Sequence, residues 1–135
     1  MASVRRVTYL KARLKDKPGA LLSVMQGMKR KRLGLSGLWG YSTRGGKADL
    51  YVVAGNTAKV RAHFRSVRAF AAEGKGFWVT GKNQTGALNK CLEALAKARV
   101  NIMAIDAIAV GGRYGSFIWV KPNHLAKAAR ALRAK

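Results

Sequence analysis

The chain has 135 residues, with 27 Lys or Arg against five Asp or Glu, so its net charge is +22 at pH 7. This length predicts one domain or two very small ones, and the apolar fraction of 49% is enough for a packed core. A single cysteine, Cys91, excludes an internal disulfide and makes a reducing, cytoplasmic setting the expectation. We expect no signal peptide and no membrane-spanning helix, because no apolar run approaches about 18 residues.

The first predicted elements are a strand and a helix. Residues 7–14 alternate apolar and basic side chains, which is typical of a half-buried strand. Pro18 suits the first turn of the helix that follows, because its missing N–H is not needed there. This helix carries an apolar stripe at helical spacing and ends in four consecutive cations. Gly34 is its predicted stop.

A hairpin and a second helix complete the first half. Gly45-Gly46 indicates a tight turn between two β-rich runs, residues 35–43 and 47–54. The second helix has Asn56 or Thr57 as its predicted cap. Its apolar stripe comprises Val60, Phe64, Val67 and Ala71.

The second half repeats this order. It predicts a strand at residues 77–81, a helix at 85–99 and a hairpin around Gly111-Gly112, whose two strands are 101–110 and 114–121. A last helix follows, with Asn123 as its predicted cap. The predicted fold is α+β, with two ferredoxin-like β-α-β-β-α repeats, antiparallel sheets and helices on one face. We place the repeats at 3–72 and 73–135.

Neither half shows a separate closing strand. We therefore expect either three-stranded sheets or a strand supplied from elsewhere. Open strand edges tend to pair with other strands, so a homo-oligomer, a dimer or larger, is the expected assembly.

One loop occurs twice. Asp16-Lys17-Pro18-Gly19-Ala20-Leu21 reappears 67 residues later as Asn83-Gln84-Thr85-Gly86-Ala87-Leu88. Each copy leads from a strand into a helix, where free backbone N–H groups at the helix start suit a small anion or a carboxylate. The duplication predicts both the repeated fold and ligand binding.

The loop from Asp16 to Leu21, between a strand and a helix, resembles the signature of the ACT domain family. Val100-Asn101-Ile102 resembles that family's step from helix to strand. The resemblance covers nearly the whole chain as two tandem copies. The second loop departs from the pattern, with Asn83 in place of Asp and Thr85 in place of Pro, and Gly34 replaces the Asn in the first half.

The resemblance implies a non-catalytic regulatory or assembly module that binds a small molecule, with an amino acid as the expected ligand. In the family, ligands lie against this loop and the helix start, where two ACT domains pair. The implied ligand-binding residues are Asp16, Pro18, Gly19, Ala20, Leu21, Asn83, Thr85, Gly86, Ala87, Leu88 and Asn101.

Basic residues on predicted helix faces form a second candidate surface. A charge of +22 predicts salt-dependent binding to nucleic acid or another polyanion with little sequence preference. The candidate residues are Lys29, Arg30, Lys31, Arg32, Arg61, Arg65, Arg68, Lys127 and Arg130. Two alternatives therefore stay open beside the sensor: a nucleic-acid or ribonucleoprotein component, and an ACT scaffold whose surface was engineered to be positive.

No pattern indicates a catalytic residue, a metal site or a cofactor. Cys91 lies in an apolar helix stripe, which is typical of a buried, inert thiol. His63 and His124 lack metal-like spacing and are predicted surface residues. Strand aromatics such as Trp39 and Trp119 are expected to pack in the core or at a subunit interface rather than to stack on bases.

Overall fold

The computed structural model describes residues 2–135, in which six strands and four α-helices follow one another. The elements are β1 (Ser3–Lys15), α1 (Ala20–Arg30), β2 (Leu35–Ser42), β3 (Lys47–Ala54), α2 (Thr57–Ser66), β4 (Phe70–Lys82), α3 (Asn89–Lys97), β5 (Ile102–Val110), β6 (Arg113–Val120) and α4 (Leu125–Leu132), with a 3₁₀ turn at Pro122–His124. This confirms the predicted α+β class. No helix in the described range is long and apolar enough to cross a membrane.

The chain divides into two compact units. The first comprises Thr8–Gly74, and the second comprises the segment ending at Val7 together with Lys75–Lys135. Both long strands, β1 and β4, therefore contribute residues to each unit. The predicted repeat boundaries, 3–72 and 73–135, stay a prediction.

The unit Thr8–Gly74 holds an antiparallel sheet in the order β2-β3-β1, with the first residues of β4 beside β1. Leu10 is opposite Val52 in the β1–β3 ladder. The backbone N–H of Arg13 donates to the carbonyl of Ala69 at 2.8 Å. Residues 70–74 thus supply the closing strand that sequence analysis did not find in this half.

The second unit has the same arrangement of strands, but its closing strand is the start of β1. Phe77 of β4 is opposite Ile118 of β6, and β6 pairs with β5. The start of β1 lies beside β4 here. The backbone N–H of Lys135 donates to the Val4 carbonyl at 3.0 Å, which fixes the end of the chain against this segment. Of the two expectations, a strand supplied from elsewhere is confirmed and the three-stranded sheet is wrong, because β1 and β4, of 13 residues each, both contribute to each unit. Alternation alone does not show where the role of such a strand changes.

Each unit packs its two helices on one sheet face. In the unit Thr8–Gly74, Met28 and Phe64 from the helices meet Leu10 and Val52 from the strands, all almost fully buried. The corresponding core of the second unit comprises Phe77, Val79, Leu95, Ile118 and Ala128 among others. Burial of large apolar side chains of this kind contributes about 1.5–3 kcal/mol each.

All four α-helices end in the same way, with an arginine in the left-handed conformation. Arg32, Arg68, Arg99 and Arg133 have φ between 52° and 59°. The backbone N–H of the residue after each arginine donates to a carbonyl in the last turn of the helix. For example, the N–H of Leu33 donates to the Met28 carbonyl at 2.9 Å, which is a Schellman motif. Glycine is the usual residue there, since this conformation costs other residues about 1–2 kcal/mol.

These endings correct two predicted helix boundaries. The first helix stops at Arg30 and turns at Arg32, before the predicted stop at Gly34. The second stops at Ser66, so Val67 is 47% exposed and Ala71 belongs to β4. Arg68 consequently lies beyond the helix instead of on one side of it with Arg61 and Arg65.

Other boundaries show which sequence signals were sufficient. Asn56 caps α2, with its side-chain oxygen accepting the N–H of Lys59 at 3.1 Å. Both hairpin glycine pairs have positive φ, as the turns require. The third helix begins at Asn89 rather than at Thr85, and β1 begins at Ser3, earlier than predicted. The expected homo-oligomer stays a prediction; the outer strand β5 exposes Met103, Ile108 and Val110.

We predict that Gly27→Ala destabilises the protein. A Cβ at Gly27 would lie 2.6 Å from Cε1 of His63, which is buried against α1. Overpacking of this kind costs about 1–3 kcal/mol, which exceeds the helix-propensity gain from alanine. Gly34→Ala is the matched control, because nothing lies within 4 Å of its added Cβ. Thermal unfolding followed by circular dichroism should show a lower midpoint for Gly27→Ala only; equal midpoints would contradict the close packing of α1 on α2.

Candidate functional site

The turn from β1 into α1 leaves the start of the helix open. Gly19 precedes the helix with φ of 86°, and no side chain caps the first turn. The backbone N–H of Asp16 donates to the Gly46 carbonyl at 2.8 Å, so the turn is tied to the β2–β3 hairpin. Asp16 therefore does not cap the helix, and its carboxylate is exposed.

One cavity of about 360 Å³ lies beside this turn, between the loop and strands β2 and β3. We call it the Asp16 cavity. Its lining combines charged groups, among them Lys15, Asp16 and Lys17, with the apolar side chains of Leu21 and Leu38. Those two leucines are 45% and 42% exposed. The cavity thus offers both signs of charge next to an apolar wall.

A second cavity, of about 570 Å³, lies on the other side of the same turn. We call it the cationic cavity. It is bounded by the end of β1, the loop and the segment from Val67 to Ala69. Arg13, Lys15, Lys17, Lys47 and Arg68 line it, and no carboxylate does.

The repeated loop in the second unit has cavities at the equivalent positions with different linings. The cavity beside Asn83 measures about 480 Å³ and has no charged residue in its lining. The other measures about 140 Å³, and its cations are Lys82 and Lys90. Charge therefore distinguishes the first loop from the second.

Asp49 is the buried acid of the first unit and lines the Asp16 cavity. Arg13 Nε donates to its Oδ1 at 3.0 Å, and Lys11 Nζ lies 3.4 Å from Oδ2. Burial by itself raises the pKa of Asp49, but hydrogen bonds from Arg13 and Lys11, with their charges, outweigh it and hold the pKa below its usual value. The carboxylate is therefore ionised at neutral pH and fixes both cations against β3.

The structure brings most of the implied ligand residues to these cavities. Asp16, Ala20 and Leu21 line the Asp16 cavity, whereas Pro18, Gly19 and again Ala20 line the cationic cavity. Asn83, Gly86, Ala87 and Leu88 line the cavity in the second unit. Thr85 and Asn101 line none of the four. The binding role of all these residues stays a prediction.

The predicted polyanion residues differ in their surroundings. Arg61 forms two hydrogen bonds with Glu73, at 2.6 and 3.1 Å. The Arg65 guanidinium lies 4.9 Å from the Phe70 ring centre. Lys29, Arg30 and Arg32 are exposed, as is Arg130 on α4, whereas Lys127 is half-buried. Only part of the predicted set therefore presents unpaired charge to solvent.

Lys31 is held by a buried histidine. Its Nζ lies 3.1 Å from Nδ1 of His63, whose Nε2 lies 3.4 Å from the Val24 carbonyl. The prediction of His63 as a surface residue was wrong, since only 3% of it is exposed. His63 precedes the buried Phe64 on α2, which was a signal of burial. The basic residues near it in the sequence led instead to the prediction of a surface position.

Cys91 is buried, as predicted, and burial raises the pKa of its thiol. In the described part of the chain, no group of three or more His, Cys, Asp or Glu side chains could hold a metal ion. Sequence analysis missed Lys15, Lys17 and Lys47, because their convergence depends on strand pairing. Asp49 was visible only as a lone acid among the apolar residues of β3.

No family model matches the chain, and no curated protein matches it. Solved structures do. A Bacteroides thetaiotaomicron protein is 20% identical, with a TM-score of 0.84 over 96% of this chain and 88% of that one. The regulatory subunit of Thermus thermophilus aspartate kinase, in its ligand-free form, is 14% identical, with a TM-score of 0.67 over 98% and 94%. At these identities the likeness shows a shared fold.

A third similar structure is a much longer chain. Escherichia coli aspartokinase III, solved in complex with aspartate and ADP, is 14% identical and has a TM-score of 0.58. The match covers 98% of the present chain but 32% of that enzyme. The present fold therefore corresponds to one part of that protein.

We predict that Asp49 stabilises the fold above its unfolded-state pKa of about 3.9 and loses that effect in acid. Its folded pKa is lowered, so the contribution is complete above the unfolded value and disappears as pH falls through the folded value. Asp49→Asn should reduce the free energy of unfolding at pH 7 by about 1–3 kcal/mol. Urea unfolding at pH 7 and at about pH 3 should show a smaller difference in the free energy of unfolding between the unchanged protein and Asp49→Asn at the lower pH. Asp16→Asn, at an exposed acid, should change little; a pH-independent loss in Asp49→Asn would argue against the ionic role.

Proposed function

We propose that this chain is a non-enzymatic regulatory module of ACT type that binds an amino acid in the Asp16 cavity. The observation that carries the proposal is the lining of this cavity, which combines the exposed carboxylate of Asp16 with two ammonium groups and apolar side chains, beside the Asp49 carboxylate that Arg13 and Lys11 already bind. A free amino acid carries the complementary groups: a carboxylate, an ammonium and a side chain.

The turn at Gly19 supports a definite orientation for such a ligand. Lys15, Lys17 and the uncapped start of α1 attract the ligand carboxylate. The exposed carboxylate of Asp16 pairs with the ligand ammonium. Leu21 and Leu38 then face the ligand side chain, which favours an apolar one.

The similar structures support a regulatory role over a catalytic one. One of them is a regulatory subunit of an aspartate kinase, and the chain covers 94% of it. The lack of charge in the cavity beside Asn83 favours the first loop as the main ligand site. We also propose that two chains associate, as the outer strands suggest.

Asp16→Asn should weaken amino-acid binding about tenfold or more, because the change removes the ammonium's counter-charge. Isothermal titration of the intact protein with each common L-amino acid identifies the ligand first and then measures the variant. Asn83→Ala, at the equivalent position of the second loop, is the matched control and should keep the affinity. Absence of heat with every amino acid would contradict the sensor function of this chain.

A second function, polyanion binding, is favoured by the exposed cations at the end of α1. Lys29, Arg30 and Arg32 have no carboxylate within 4 Å among the described residues. Lys and Arg side chains of this kind contact phosphates, which position a protein on a nucleic acid without reading its bases. The aromatic side chains on the strands favour this function less, because Trp39, Tyr41 and Tyr9 pack around Tyr51.

Lys29→Gln/Arg30→Gln should lower oligonucleotide affinity and flatten its salt dependence, by roughly 0.7–0.9 in log–log slope for each lost phosphate contact. Fluorescence anisotropy of a labelled oligonucleotide at about 50 and 200 mM salt measures both quantities. Arg61→Gln is the comparison, because its guanidinium already binds Glu73. Affinity that does not change with salt would refute the polyanion function.

A further inference from the structure

The cationic cavity concentrates positive charge that the fold does not neutralise. Of its five cations, Arg13 is paired with Asp49. Lys15, Lys17, Lys47 and Arg68 have no carboxylate within 4 Å among residues 2–135. Like charges gathered around one space repel one another, and an anion placed between them would relieve that repulsion.

The register of the β1–β3 ladder places two of these cations next to each other. Lys15 and Lys47 are directly opposite each other in the β1–β3 ladder. Like charges at such positions are destabilising. Lys82 and Arg113 form the same pair in the second unit, but of the two only Lys82 lines the equivalent cavity of about 140 Å³. In the first unit, by contrast, both members of the pair line one cavity, which is open to solvent.

The other walls of the cavity suit an anion with an organic part. Ala20 and Ser23 of α1 line it, and the first turn of this helix has no acidic residue to offset its positive end. Pro18, Val24 and the exposed side chain of Val67 supply apolar surface. A volume of about 570 Å³ is several times that of the equivalent cavity in the second unit, about 140 Å³.

Arg68 is present despite a backbone conformation that favours glycine. Its φ is 57°, and its side chain lines the cavity just after the end of α2. A guanidinium forms paired hydrogen bonds with phosphate oxygens, whereas a lysine acts as a point charge. A cavity lined by one arginine and three unpaired lysines is suited to a ligand with more than one negative charge.

We propose that the cationic cavity binds a small phosphorylated organic molecule of nucleoside diphosphate size. Its phosphates contact Lys15, Lys17, Lys47 and Arg68, and its organic part lies against Pro18 and Val67. This site adjoins the amino-acid site and shares Lys15 and Lys17 with it; of the two cavities, Lys47 and Arg68 line only the cationic cavity and Asp16 lines only the Asp16 cavity. The inference goes beyond the proposed function and does not depend on amino-acid binding.

The experiment compares two double variants with equal charge changes. Lys17→Gln/Arg68→Gly removes two cavity cations, whereas Lys97→Gln/Arg99→Gly removes two exposed cations elsewhere. Arg99 follows α3 with φ of 59°, so both arginine substitutions relieve the same backbone conformation. Both variants should therefore fold, and thermal unfolding of each checks this before any binding measurement.

Isothermal titration with ADP, pyrophosphate and inorganic phosphate, at about 150 mM salt to suppress diffuse attraction, supplies the readout. We expect saturable binding of one ADP per chain, weaker binding of pyrophosphate and the weakest binding of inorganic phosphate. The cavity variant should lose about tenfold or more in ADP affinity, since two charge-assisted contacts disappear. The control variant should change much less.

Three results would overturn the inference. Equal weakening in both variants would mean that the charge acts diffusely, as in polyanion binding. Absence of saturable binding of all three probes would mean that the cavity is not a phosphate site. If ADP bound no more tightly than pyrophosphate, the proposed contacts between the organic part of the ligand and the cavity would be contradicted. Asp16→Asn distinguishes the two functions, because it should weaken amino-acid binding about tenfold or more and change ADP affinity much less, since Asp16 does not line the cationic cavity.

Discussion

The left-handed turn at Gly19 is the constraint on which the candidate sites depend. With φ of 86°, it ends β1 and starts α1 without any side-chain cap. A residue with a Cβ would pay a steric cost in this conformation. The turn projects Asp16 to one side and leaves Pro18 on the other, so one short loop borders two cavities. The chemistry of each cavity then follows from the strand or segment that faces the loop.

The few acidic residues determine which cations of this protein are paired. Asp49 and Glu73 are used within the fold, where they bind Arg13, Lys11 and Arg61. Asp106 accepts the N–H of Phe117 at 3.2 Å. Acids are therefore committed largely to structure, and most cations keep their full charge. A cavity that gathers several such cations differs from a solvated basic face, because the charges act together on one space.

The two units show how one scaffold acquires different sites. Both loops have a left-handed glycine, Gly19 or Gly86, and both lead into a helix with a buried apolar face. Asn83 and Gln84 stand where the first loop has Asp16 and Lys17, so the second loop lacks their charge. Its helix also begins later, at Asn89, whereas α1 begins directly after Gly19. The two loops therefore share the left-handed glycine but differ in charge and in where the following helix begins.

The sequence alone determined the class of fold and the position of the repeated loop. Hydrophobic periodicity reports burial within single elements, and glycine pairs report turns, so β3 and both hairpins were predictable. Only the tertiary structure showed that β1 and β4 each serve two units, that α2 ends before Arg68, and that Lys15 is opposite Lys47. These features depend on pairing between residues far apart in sequence. The local pattern of one segment carries no record of which segment faces it, and for that reason the cationic cavity could not be found before the fold was known.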